Sequence, residues 1–124
     1  MEYVKANLFM PGKVENYNLI IDLYNIGVTQ APITVIKALL GVLQQNYRCM
    51  SRKLYVFNVC WSLRMGWKVI DIMLSESTRQ KIEVHGANTC DGMKEKTALS
   101  NIEKQYGGSA EDCTVFWPPI MPEQ

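Results

Sequence analysis

The sequence has a single histidine, His85, and its four cysteines show no CxxC spacing. Zinc sites need three or four Cys, His or acidic ligands at short, fixed intervals, so no metal centre is expected. No GxGxxG and no GxxxxGK[ST] follows any apolar run, which removes the glycine-rich phosphate loops of nucleotide-binding folds. Charge of one sign is not in excess either: 13 basic against 12 acidic residues leave a net charge of +1. Nucleic-acid binding needs a clustered surplus of Lys and Arg to displace counterions, so no such partner is expected. The apolar runs fall well short of the about 20 residues that cross a bilayer. The opening Met1-Glu2-Tyr3 lacks the basic and apolar blocks of a secretory signal. A cytoplasmic location with free thiols is the corresponding expectation.

What the sequence does have is alternating strand and helix signals within 124 residues, a length that fits one domain. Residues 6–10 read as a short strand and Pro11-Gly12 as a turn. Residues 17–23 (YNLIIDL) form a nearly continuous apolar run, the mark of a strand covered on both faces. Thr29 and Pro32 signal a helix start, and Ile36, Leu39, Leu40, Leu43 and Tyr47 follow at helical spacing. Residues 53–59 (KLYVFNV) give a second buried strand, 63–74 a second helix, 80–84 a third strand and 93–99 a more polar helix. Gly107-Gly108 breaks the chain, and residues 109–124, with Pro118, Pro119 and Pro122, read as an irregular tail. The expected fold is α/β: a mixed, mostly parallel sheet with crossover helices and one antiparallel edge strand at residues 6–10. Residues 1–108 form its domain.

The helix at 63–74 is more apolar than a surface helix requires. At about 100° per residue, Leu63, Trp67, Ile70 and Leu74 share one stripe, and Met65, Val69, Ile72 and Met73 occupy an adjacent sector. Only Arg64, Lys68 and Asp71 form a polar stripe. The apolar arc spans roughly 220°, about twice what seats a helix on a core. Such a helix is either enclosed on two sides or a movable lid with one face toward a cavity and the other toward lipid.

Several segments together resemble the CRAL-TRIO family, and within it the phosphatidylinositol-transfer branch. LIIDLYNIG at 19–27 is similar to the family's strand that ends in Asp before a Gly loop. QQNY followed by KLYVFNV resembles its helix end and next strand, STRQKIEVHG at 77–86 its T-x-x-K-I stretch, and QYGG at 105–108 its late aromatic-Gly-Gly motif. The resemblance implies an α/β domain with a lipid pocket closed by a gating helix, here 63–74, with Leu63, Trp67, Ile70, Met73 and Leu74 facing lipid. It implies that Thr78 and Lys81 hold an inositol phosphate headgroup, a role that suits a hydroxyl and a cation replacing water around phosphate. Strand alternation puts Lys81, Glu83 and His85 on one face and Ile82 and Val84 on the other. The resemblance also implies non-catalytic phospholipid transfer, no cofactor beyond the lipid, and peripheral association with a membrane surface. It places the family's N-terminal helical part upstream of Met1, leaving a partial domain whose open sheet edge or apolar helix invites a homodimer.

Two segments depart from the family pattern. Tyr17 and Leu19 stand where phosphatidylcholine-binding members carry Ser and Thr, and residues 47–50 read Tyr-Arg-Cys-Met in place of Tyr-Pro-Glu-Arg. Two other functions fit some of the same residues. One is a hydrolase with Cys60 at a strand-to-helix turn and His85 as its base. The other is a protein-docking domain that uses the broad apolar helix.

Overall fold

Strand β2 (Ser51–Phe57) organises the fold, because it is the most deeply buried segment among the described residues and the centre of the sheet. The computed structural model describes residues 2–26, 34, 38, 41–42, 45–46 and 50–115. β1 (Tyr17–Asp22) and β3 (Ile82–Val84) flank β2, and both pair with it in parallel. The registers set Leu19 beside Leu54, Ile21 beside Val56, and Ile82 and Val84 beside Leu54 and Val56. These side chains share one face of the sheet, as period-two alternation requires. Tyr55 and Phe57 point to the other face, are fully buried and stack with ring centroids 6.2 Å apart. A central strand buried on both faces explains the unbroken apolar run of LYVF.

Two compact units divide the chain. The unit Tyr17–Asn88 contains the sheet and helix α2 (Trp61–Met73). Its core joins Leu54, Val56 and Val59 of the sheet side to Ile70 and Leu74 of the helix, with Leu63, Trp67 and Val84 packed around them. Cys60 caps the start of α2 in extended geometry without a side-chain cap bond, and Leu74 leaves the helix at ψ 139°. A short helix, α3 (Glu76–Arg79), follows and leads into β3.

The second unit combines residues 1–16 with 89–124. Helix α1 (Glu2–Leu8) opens it, where the sequence reads as an edge strand at 6–10. The short apolar run ANLFM carries no alternation that would separate strand from helix, and Ala and Leu favour the helix. The described sheet is therefore wholly parallel, still of the α/β class expected. The Pro11-Gly12 turn forms, with Met10 and Val14 bridged across it. Helix α4 (Asp91–Lys96) buries Met93, and Ile102 is buried with it in this unit. The QYGG segment has a steric cause. Gly107 adopts φ 83°, and a Cβ on Gly108 would overlap the Ile102 carbonyl oxygen.

Thr34, Ala38, Gly41, Val42, Gln45 and Asn46 have helical backbone between β1 and β2. The apolar positions expected there, Ile36, Leu39, Leu40, Leu43 and Tyr47, lie outside the described residues, as do Thr29, Pro32 and the prolines of the tail. No helix among the described residues is long and apolar enough to cross a membrane.

Candidate functional site

Helix α2 is two-sided. Ile70 and Leu74 are 4% and 7% exposed, and with Leu63 and Trp67 they rest directly on the sheet face of Leu54 and Val56. The opposite side carries Trp61, Met65, Val69 and Ile72, and Trp61 and Ile72 are 78% and 80% exposed. Trp61 begins the helix rather than preceding it, so the outer apolar row runs through about three turns. Arg64 and Lys68 border this row and are exposed. Met73 ends α2, and its side chain lies outside the described residues. Leu63, Trp67, Ile70 and Leu74 thus form the single stripe that periodicity implies, and that stripe is seated on the sheet.

An open cleft of about 460 Å³ lies where the strands end and α2 begins. Leu23, Ile26 and Val59 provide its apolar walls, and Asn58, Cys60 and Gly86 complete one side. Ligand sites of parallel sheets form at this end, outside the carboxyl ends of the strands. Asn58 adopts φ 56° and donates its side-chain amide to Asp22 Oδ1 at 2.8 Å, which ties the ends of β1 and β2 together. The sequence-based expectation of a hollow behind the stripe therefore meets a different arrangement. The stripe is packed, and the cleft sits at the helix start.

The Thr78 and Lys81 segment lies at the other end of α2. Ser75 caps α3: its Oγ accepts from the Thr78 backbone N–H and stands 2.8 Å from Thr78 Oγ1. The Lys81 N–H donates to the Thr78 carbonyl at 3.0 Å, so one turn of backbone links the two residues. Both are half-buried. Alternation holds for β3, with Ile82 and Val84 against the core and Glu83 beside His85 on the other face at 3.7 Å.

Two interactions at this end escaped the sequence. Lys53 Nζ reaches Glu83 Oε1 at 2.7 Å and the Gln80 carbonyl at 3.2 Å, joining β2 to the Thr78–Lys81 segment. Arg79 bonds Asp71 of α2 and Glu76 of α3. Lys53 and Glu83 become neighbours only once the β2–β3 register is known. Asp71, Glu76 and Arg79 fall on a chain reversal that no periodicity spans.

Cys60 has its thiol held below the ordinary range, chiefly by its hydrogen bond with Ser62, and by the Leu63 backbone N–H. Its sulfur lies 3.3 Å from Ser62 Oγ. Among the described residues no hydrogen bond joins Cys60 to His85, whose ring instead meets Glu83 and Phe57. The nucleophile–base pair that a Cys60 hydrolase needs is not assembled.

A parallel sheet carrying a two-sided apolar helix, with a cleft at the strand ends, defines an α/β fold. The chain belongs to the CRAL/TRIO domain family, whose model matches residues 1–108. The fold is similar to that in the crystal structure of Sfh5, with a TM-score of 0.57 and 21% sequence identity over 77% of this chain. The match covers 33% of the Sfh5 chain, so this chain corresponds to about a third of that protein.

Proposed function

We propose that the chain binds one phospholipid and exchanges it with membranes, with α2 as the gate. The observation that carries this reading is the two-sided helix. A helix that only completes a core has no use for an outer row of Trp61, Met65, Val69 and Ile72 left in water. As a gate, its inner stripe covers the apolar sheet face, and its outer row meets the membrane while lipid passes.

Lengths agree with this role. α2 has 13 residues and is therefore ~20 Å long. One leaflet's share of a ~30 Å hydrocarbon core is ~15 Å. A single acyl chain held at the Thr78–Lys81 segment therefore runs along about three-quarters of α2 toward the cleft at its other end. The cleft, at about 460 Å³, is of the size that holds one drug-sized ligand. Lipid tails take the place of α2 on Leu54 and Val56 when the helix lifts. The uncovered surfaces are apolar on both sides, so the tails exchange one hydrocarbon contact for another at small net cost.

Selectivity then rests with the headgroup. The reading assigns it to Thr78 and Lys81, a hydroxyl and an ammonium that suit the phosphate of phosphatidylinositol. No covalent step is involved.

Mass spectrometry under native conditions, after incubation with vesicles of phosphatidylinositol and phosphatidylcholine, tests the proposal. One phosphatidylinositol per chain is the expected adduct, and Lys81→Ala loses it while keeping its circular dichroism. Bare protein from the wild type removes lipid binding. Undiminished adduct in Lys81→Ala removes the headgroup assignment.

A further inference from the structure

Arg79 bridges the segment between the gate and the headgroup residues. α2 ends at Met73, Leu74 turns to extended backbone, and α3 starts after Ser75. Arg79 reaches back across this break. Its Nε lies 3.0 Å from Asp71 Oδ1, one terminal nitrogen donates to the Asp71 backbone carbonyl at 2.8 Å, and the other to Glu76 Oε2 at 3.2 Å. Asp71 belongs to the last turn of the gate and Glu76 to the first turn of α3. The Asp71 carbonyl also accepts the Leu74 N–H at 3.2 Å, so the guanidinium joins the set of bonds that close the helix. A cation at this point faces the negative end of the helix dipole.

The neighbours of Arg79 in sequence are those assigned to the headgroup. Thr78 precedes it, and Lys81 follows two residues on. Its planar fork uses three nitrogens for three acceptors, a geometry that lysine cannot copy. The α3 turn carrying Thr78 and the last turn of α2 are therefore clamped by the same group.

We propose that Arg79 is a positioning residue that couples the headgroup segment to the gate: it latches the end of α2 shut, and movement of the Thr78–Lys81 segment loosens it. The coupling rests on the lipid reading above. The latch itself rests on the three contacts alone. Arg79 and Asp71 are each about two-fifths exposed, so solvent screens the network. Its loss raises the opening equilibrium of α2 by about fivefold, the scale of an exposed ion-pair network.

Arg79→Gln and Arg79→Lys test the assignment through two readouts on the 124-residue chain. The first is transfer of fluorescent phosphatidylinositol between phosphatidylcholine vesicles. Headgroup engagement moves the Thr78–Lys81 segment and weakens the latch, so Arg79→Gln speeds uptake by about fivefold and release by less, and equilibrium occupancy rises accordingly. Arg79→Lys falls between the wild type and Arg79→Gln. The second readout is amide hydrogen exchange without lipid. The last turn of α2 exchanges about fivefold faster in Arg79→Gln, while β2 amides keep wild-type rates. A purely structural residue would move both sets of amides. Slower uptake with lower occupancy would make Arg79 a headgroup contact and overturn the latch. Unchanged α2 exchange would overturn it too, whatever the lipid result. A wild type that takes up no lipid, joined to faster α2 exchange in Arg79→Gln, would remove the coupling and the lipid reading while retaining the clamp.

Discussion

Ile70 and Ile72 are two residues apart on α2 and have opposite surroundings, so replacing each by alanine separates the two faces of the helix. Ile70 is 4% exposed and sits in the core with Leu54, Val56 and Val59. Ile→Ala removes three carbons, at ~0.8 kcal/mol each for transfer. The cavity left in a packed core adds to this, and the expected total is about 3 kcal/mol. For a domain of this size that lowers the melting temperature by about 10 °C. Ile72 is 80% exposed, so Ile72→Ala costs no more than about 0.5 kcal/mol. The order reverses on membranes. An Ile72 side chain embedded in the acyl boundary contributes ~2 kcal/mol to partitioning, and its loss weakens vesicle binding by over tenfold. Thermal unfolding by circular dichroism and co-sedimentation with vesicles measure the two effects. A melting temperature that falls equally in both variants would refute the reasoning, because the outer row would then be covered by protein. Vesicle binding untouched by Ile72→Ala would refute the assignment of that row to lipid.

Other expectations follow from single observations. Gly108→Ala forces a methyl group into the Ile102 carbonyl, and urea unfolding should register a loss of about 2 kcal/mol or more; a loss under 0.5 kcal/mol would contradict the QYGG geometry. Ser62→Ala removes the main stabiliser of the Cys60 thiolate, so the thiol pKa rises toward the ordinary value and iodoacetamide labelling of Cys60 shifts to higher pH. An unshifted labelling profile would show that Ser62 is not the cause. Lys53→Met cuts the tie from β2 to Glu83 and Gln80, and phosphatidylinositol occupancy should fall several-fold with less than about 1 kcal/mol lost in stability. Unchanged occupancy would separate Lys53 from the headgroup segment.

The sheet was largely legible in the sequence. YNLIIDL and KLYVFNV are apolar enough to mark strands covered on both faces, and they form β1 and β2 within two residues of the expected bounds. Helix α2 was legible as well, because 3.6-residue periodicity separates its stripe from its outer row. Residues 6–10 were misread, since five residues without alternation do not distinguish strand from helix. The packed stripe and the cleft at the strand ends were not visible, because where a helix rests depends on the sheet face opposite. Thr78 and Lys81 were singled out by resemblance and not by any pattern of their own, and one turn of backbone links them. Lys53, Glu83 and Arg79 were missed. Their partners are set by strand register and by the break at Leu74, neither of which leaves a pattern in the chain.

A phosphatidylinositol with a photoreactive group on its acyl chain tests the central claim most directly. After exchange into the protein and irradiation, peptides carrying Val56 and Ile70 should hold the label, because the tail lies between the sheet and α2. Label confined to Trp61, Met65, Val69 and Ile72, with none on β2, would contradict the account, since lipid would then touch only the outside of a fixed helix.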